Sequence, residues 1–393
     1  MRSYEESHPW INFLLNLEKL DHKCWMLVGE AVSKLDHIAG VPLQPSVASE
    51  LNRIYLSKGA HATTQIEGNT LSEQQVRQRV DHELDLPPSQ EYLGQEVDNV
   101  INGYNLIISD VVERRPLNLT VGRIQEFNKI VLEGLTNDGD AQPGHIRTTS
   151  VLVGSHYRGA PAEDCTYLLD RLCEWLESLR TTTVGTEYEK PVAVLSAILA
   201  HLYVAWIHPF EDGNGRTARL VEFQLLVRSG APTVAAHVLA DHYNKTRSAY
   251  YRELRRTSEV KPHNVNSFIA YALQGLVDGL RQQIEEIQVQ QLGVAWVNFV
   301  HDAFRDKHTP ACARQRLLVL SLPVNDWTPK ASIRELTPQL ALAYADKQDK
   351  AVTRDVNALE TMGLLAKHKR GTVATVQPRV NRLRAFMPLV AND

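Results

Sequence analysis

The stretch HPFEDGNGRTAR, His208–Arg219, decides how the rest of the chain is read. Gly213 and Gly215 flank Asn214 where a helix begins. Glycines let successive backbone N–H groups turn into one concavity, and a helix N-terminus adds free donors and the positive end of its dipole. Phosphate is the obvious guest. Arg216 and Arg219 lie three apart, so both can project from one helical face, and their planar forks suit phosphate oxygens. Asp212 offers the hard oxygen that Mg2+ takes alongside phosphate. His208 closes the preceding helix, held by Pro209 and Phe210; it titrates near neutrality and can take a proton from an attacking hydroxyl. Singly these residues are a packed histidine, a helix start and solvated arginines. Together they are a base, a metal carboxylate, a phosphate cradle and two clamps, the parts of a nucleotidyl- or phosphoryl-transfer site.

Outward from this run the pattern is helical. Immediately upstream, Val192–Ile207 is the most apolar stretch. Its 16 residues, with Ser196 and His201 inside, are short for a membrane span and read as a buried core helix opened by Pro191. Downstream the helix that starts in the Gly-Asn-Gly turn runs to a stop at Gly230, and further helices fit SAYYRELRRTSE and the long run from Val265. Nearer the N-terminus one helix is expected from near Ser46 to Glu67, with Gly68 and Asn69 as its stop. Ser72 and Gln75 then form a capping box. Helical periodicity recurs over Tyr92–Val112, Val121–Leu135 and Tyr167–Leu179. The exception is His145–Ala160, whose β-branched residues and Gly154 predict a hairpin turning near Gly154–His156. In a helical domain that hairpin is either a decoration or a flap over a site. After Ala313 the order changes: a helix near Arg314–Leu320, one at Ser332–Tyr344, a third in DKAVTRDVNALETMGLL, then a small hairpin with Gly371 at its tip. This is winged helix-turn-helix order.

Composition sets the limits. A chain of 393 residues exceeds one small core. The net charge is −4, but from Asp306 onward 14 Lys and Arg stand against 8 Asp and Glu, +6, leaving −10 for the remainder. Cys24, Cys165, Cys173 and Cys312 form no C-x-x-C and no metal-spaced set, so free thiols in a reducing cytoplasm are expected. MRSYEESHPWINFLL lacks a basic segment followed by an apolar run, which argues against a signal peptide, and no membrane association is expected.

HPFEDGNGRTAR matches the Fic family signature H-P-F-x-[D/E]-G-N-G-R-x-x-R at all nine defined positions. It resembles Fic rather than the related Doc proteins, which act as kinases and carry Ala and Lys where Gly213 and Gly215 stand. The resemblance implies an all-α, Fic-type helical bundle with a β-hairpin flap, followed by the winged-helix module. The implied organisation is an N-terminal helical segment over 1–110, the Fic core over 111–285, a helical linker over 286–310 and the winged helix over 311–393. The implied activity is transfer of AMP from ATP to a Ser, Thr or Tyr hydroxyl of a protein, or of the chain itself, with pyrophosphate leaving. His208 would be the base. Asp212 would hold Mg2+. Asn214, Gly215 and Arg216 would bind the phosphate chain and Arg219 the γ-phosphate, within an ATP-binding run from Asp212 and Gly213 through Thr217 and Ala218 to Arg219. Val153, Gly154, Ser155 and His156 of the flap would lie against the nucleotide, and similar proteins clamp the target's segment on that flap by strand addition. Tyr250 and Tyr251 resemble the pair that lines the adenosine pocket; the Asn that some relatives carry seven residues beyond is Ser258 here.

TTQIEG, Thr63–Gly68, fits the family's inhibitory pattern [S/T]-x-x-x-E-[G/N]. Glu67 would pair with Arg219 and remove it from the γ-phosphate, so that ATP binds with its α-phosphorus badly aligned. In some relatives the same glutamate helps water remove AMP, so Glu67 could serve both directions. The resemblance implies a homodimer. For the C-terminal module two partners stay open: DNA, through KAVTRDVNALETMGLL as recognition helix, and a protein or a second copy of the chain. Transfer of another nucleotide or of phosphate, and a DNA-binding regulator with a repressed Fic site, are the alternative functions.

Overall fold

The computed structural model describes residues 2–135, 142–153, 157–261, 263–324, 326–370, 373–380 and 383. The chain runs through α1 (Ser3–Ser7), α2 (His22–Gly40), α3 (Pro45–Ile66), α4 (Glu73–Val80), α5 (Glu91–Val112) and α6 (Val121–Val131) to a ribbon of β1 (Leu152–Val153) and β2 (Tyr157–Arg158). Then come α7 (Cys165–Thr183), α8 (Glu189–Ile207), α9 (Asn214–Arg228), α10 (Thr233–Ala236), α11 (Val238–Lys245), α12 (Arg247–Glu259) and α13 (Asn266–Ala303).

The apolar run before the motif is the centre of this architecture. Leu195, Ile198, Leu199, Leu202 and Ile207 of α8 are all fully buried, which is how a helix apolar on every side is satisfied in a globular protein. α8 lies against α9, α7 and α2, and α9 in turn against α6, α5, α3 and α10. The loop carrying the motif therefore joins the two most enclosed helices. α3 starts with Pro45 in its first turn and ends as expected: Glu67 is its C-cap, and Gly68 takes φ +107°, which only glycine adopts without strain. Ser72 and Gln75 form both arms of the capping box on α4.

Two expectations in this half are corrected. α6 stops at Val131 rather than Leu135. The hairpin pairs only Leu152 with Arg158 and Val153 with Tyr157, and its turn, Gly154–His156, lies outside the described residues. Arg147 explains why the strands do not extend. Its buried guanidinium donates to the carbonyls of His208 (2.7 Å), Thr149 (2.6 Å) and Ala160, and its backbone N–H donates to Pro209 (2.9 Å). One further ribbon bond follows, from the Gly159 N–H to the Val151 carbonyl (3.2 Å); before it the chain is held by Arg147 to the motif loop and to the Thr149 and Ala160 carbonyls. The N-terminal segment ties down the other side, with the His8 ring 2.9 Å from the Arg158 carbonyl.

The chain divides into two units, Met1–Ile284 and Glu285–Asp393. In the second, α14 (Pro310–Ser321), β3 (Thr328–Pro329), α15 (Pro338–Tyr344), α16 (Asp349–Thr361), β4 (Leu365–Arg370) and β5 (Val373–Pro378) form three helices and a sheet of order β3-β5-β4. The helix expected over Ser332–Tyr344 is two elements. Lys330–Glu335 is a 3-10 turn, and Thr337 then caps a new helix with Pro338 at its first position. Nor is 286–310 a linker: Trp296, Val300 and Phe304 are buried in one cluster with Leu318, Leu340, Tyr344, Val356 and Val376. Residues 1–110 form no separate unit, because α3 and α5 pack directly on α9 and α11 or α6.

Candidate active site

Motif positions are fixed by backbone chemistry before any ligand is considered. His208 ends α8 in the left-handed region, φ 51° and ψ 58°, a conformation costly for a non-glycine residue and tolerated where surroundings over-determine it. The Arg147 bonds described above supply that determination. Gly213, φ +75°, caps α9; a Cβ there would meet the Asn128 amide at 3.0 Å and Leu132 and Val131 at 3.2 Å. Asn214 is buried with both side-chain groups spent inside the loop. Its Oδ1 accepts from the Phe210 N–H (2.9 Å) and its Nδ2 donates to the Phe210 carbonyl (2.8 Å). Its side chain thus shapes the loop, while its backbone amide lies in the first turn of α9. Thr217 and Ala218 are fully buried. Thr217 Oγ1 accepts from Asn128 (3.3 Å), so these two support the cradle from below rather than contact a nucleotide with their side chains.

The two arginines diverge. Arg219 is almost wholly buried and donates from Nη2 to Glu67 Oε1 (2.5 Å) and to the Thr63 carbonyl (3.0 Å). Its Nε and Nη1 have no partner among the described residues. Burial opposes ionisation of Glu67, but the charge and hydrogen bond of Arg219 outweigh it and hold the carboxyl below its usual range. The same carboxylate raises the Arg219 pKa against burial. A Cβ on Gly215 would lie 2.1 Å from Glu67 Oε1, so that carboxylate rests directly on the glycine turn of the cradle. Thr63 contributes its carbonyl, while its hydroxyl pairs with Tyr104 (3.1 Å). Arg216 instead reaches Asp212 (3.3 Å), Glu96 (3.5 Å) and the Val131 carbonyl (3.5 Å), and its Nε has no partner among the described residues.

The side chain of Asp212 is more than half exposed, at 56%. The His208 ring is driven the other way. Burial lowers its pKa to about 4, helped by the Arg147 charge and opposed by the Ala205 carbonyl and the carboxylates of Glu67 and Asp212. Its Nδ1 faces that carbonyl at 3.4 Å, which leaves Nε2 as the acceptor nitrogen.

Of the motif residues, His208, Gly215 and Arg219 border a cavity of about 560 Å3, which Asp212, Asn214 and Arg216 do not line. Glu67, Val153, His208, Gly215, Arg219, Tyr250 and Tyr251 line it, as does the apolar wall of Ile66, Tyr157, Trp206 and Leu254, with Arg255 beside them. Tyr250 is buried, its hydroxyl 2.8 Å from His201 and its ring stacked 4.9 Å from Tyr243; Tyr251 is half exposed and reaches the Ile66 carbonyl at 3.4 Å. Gly154, Ser155 and His156 lie outside the described residues. Glu96, Asn128, Arg147, Tyr157 and Trp206 escape the sequence reading. Asn128 left a signal, a polar residue on the apolar stripe of Ile124, Phe127 and Val131; Arg147 left none.

Residues 118–226, the segment that carries the motif, match the Fic/DOC family model. Among curated proteins it is similar to the protein adenylyltransferase Fic of Drosophila melanogaster, 30% identical over 271 residues that cover 67% of this chain and 47% of the relative. The protein adenylyltransferase fic-1 of Caenorhabditis elegans is 31% identical over 195 residues, 49% of this chain and 34% of the relative. The chain thus spans about half the length, or less, of these relatives. In fold it resembles a Fic family protein from Desulfovibrio desulfuricans (18% identity, TM-score 0.57, covering 92% of this chain and 97% of that one). It also resembles residues 134–508 of C. elegans Fic-1 (23% identity, TM-score 0.56, 68% and 73%).

Proposed function

We propose that the chain is an autoinhibited protein adenylyltransferase, and the observation that carries this reading is Glu67 on Arg219 within the cradle. The cavity takes adenosine between the flap and Tyr250 and Tyr251, with the phosphates on the amides of Gly213–Gly215 and the two arginines. His208 Nε2 accepts the proton of a target hydroxyl. The hydroxyl oxygen bonds to the α-phosphorus as the bond to the β-phosphate bridging oxygen breaks, and pyrophosphate leaves. Asp212 fits Mg2+: its carboxylate is exposed beside the cradle, and among the described residues no cluster of three His, Cys, Asp or Glu surrounds it. An ion there would take most of its oxygens from phosphate and water and would neutralise charge on the phosphate chain.

Glu67 stands where the terminal phosphate belongs. A carboxylate on the glycine turn and on Arg219 imitates an anion, so triphosphate and Glu67 compete for one set of donors. Displacing such a pair is worth a few kcal/mol, roughly a hundredfold in rate. We propose further that the protein acts in the cytoplasm, where its four free cysteines would stay reduced. Transfer of label from α- and from γ-labelled ATP by the Glu67→Gly chain tests the chemistry. Label from the α-position alone, absent in Glu67→Gly/His208→Ala, is expected; label from the γ-position would make the protein a kinase.

A second reading concerns the C-terminal unit. Lys350, Arg354, Asn357 and Thr361 are exposed on α16 at helical spacing, one polar stripe on the helix that precedes β4, the strand that carries Lys367 and Lys369. We propose contact with duplex DNA there. A mobility shift with random duplex at low salt that Arg354→Ala weakens is expected, and no shift would remove DNA as a partner.

A further inference from the structure

Glu96 belongs to none of the motifs, yet it holds one of the two motif arginines. It sits on α5 with its side chain one-fifth exposed. One carboxylate oxygen faces Arg216 Nη1 at 3.5 Å, and the other accepts from Asn69 Nδ2 at 2.8 Å. Asn69 is itself fixed: Nδ2 also donates to the Leu93 carbonyl (2.9 Å), and Oδ1 accepts from the Leu71 N–H (3.0 Å). Asn69 lies two residues beyond Glu67, in the turn that ends α3.

Arg216 is buried, so its guanidinium cannot rely on water, and its contacts are long. Asp212 is its nearest charged partner, at 3.3 Å, but that carboxylate is exposed, and its other tie is to the neighbouring Gly213 N–H (2.5 Å). Glu96 is braced from behind by Asn69. We infer that Glu96 is the positioning residue for Arg216, holding its guanidinium over the α9 N-terminus so that its remaining donors face the phosphate chain of a bound nucleotide. The same bond through Asn69 ties that arginine to the turn carrying Glu67. The segment that occupies Arg219 therefore also sets the position of Arg216, through a second carboxylate. This rests on the reading of the cavity as a nucleoside triphosphate site.

The test is equilibrium binding, which requires no transfer. The probes are ATP and adenosine, each measured on the full chain carrying Glu67→Gly, with and without Glu96→Ala, and with Arg216→Ala alone and combined. If Glu96 positions Arg216, Glu96→Ala weakens ATP about tenfold, a modest value suited to long contacts, and leaves adenosine unchanged. Combined with Arg216→Ala it adds nothing further, because both changes remove one interaction. Equal losses on ATP and adenosine, no loss on ATP, or losses that add would overturn the inference. Should Glu96→Ala not fold, Glu96→Gln keeps the volume and one acceptor: a loss on ATP but not adenosine supports the inference, and unchanged affinities refute it. Failure of AMP transfer with this binding pattern intact would sink the proposed chemistry and leave the role of Glu96 standing.

Discussion

At the scale of single residues, the half-buried His208 and the fully buried His237 titrate far from their ordinary value and in separable ways. His208 is the candidate base. With its pKa held near 4 by burial, it is neutral and ready to accept a proton throughout the neutral range. The Glu67→Gly chain, which loses a carboxylate that raises this pKa, should show kcat/KM that is still close to its plateau at pH 5.5. An unperturbed imidazole would be about nine-tenths protonated there. A fall centred near pH 6.5 would contradict that. His237 has no part in the site. It is fully buried between Tyr104 and Phe223, at ring distances of 4.5 and 4.6 Å, and neither nitrogen has a partner among the described residues. Burial alone lowers its pKa to about 3. A depressed imidazole contributes its stability in full above the unfolded value near 6.5 and loses it as pH falls toward 3. His237→Phe, which forfeits no hydrogen bond, should therefore move the acid-unfolding midpoint to lower pH; an unmoved midpoint would clear His237 of that role. The sequence signalled His208 through its motif, but His237 carries no local pattern, because its environment is made by helices distant in the chain.

At the scale of elements, the site is a loop between two core helices held by buried amides. Asn128 on α6 donates to the Asp212 carbonyl (2.9 Å) and to Thr217, and accepts from the Gly144 N–H (2.9 Å). Removing it leaves buried groups unpaired, so Asn128→Ala should cost about 2 kcal/mol, read as a lower Tm, with loss of transfer in the Glu67→Gly background. Unchanged stability would mean the loop is held by the Asn214 and Arg147 bonds alone. The ends of α3, α4 and α9 were legible because caps, a capping box and glycine stops are local chemistry. The ribbon was over-read. β-Branched residues favour extension, but the Arg147 guanidinium gathers the carbonyls of Thr149, Ala160 and His208, a tertiary effect that no window of sequence contains. For the same reason Thr217 and Ala218, adjacent to contact residues in the motif, turn out to face the core.

At the scale of the whole molecule, the chain is two units with separate cores. Helical periodicity and the change of pattern after Ala313 made both recognisable; the expected end of the core at 285 falls within one residue of the division, but the stretch expected as a linker belongs to the second unit, because α13 continues without a break and gives Trp296 to the second core. That second unit has its own buried polar centre: Asp355 accepts from Arg314 (2.7 Å), Gln315 (3.0 Å) and the Tyr344 hydroxyl (2.8 Å). Asp355→Ala takes the shared acceptor from the part-buried Arg314 and from Tyr344 and should destabilise this unit by about 2 kcal/mol while AMP transfer by Glu67→Gly is unaffected. An equal loss of transfer would show that the catalytic unit depends on the second. The central claim, that Glu67 on Arg219 holds a competent site shut, is tested most directly by the initial rate of α-label incorporation from ATP in the unaltered chain and in Glu67→Gly. A rise of about a hundredfold is expected; a Glu67→Gly chain no faster than the unaltered one would contradict it.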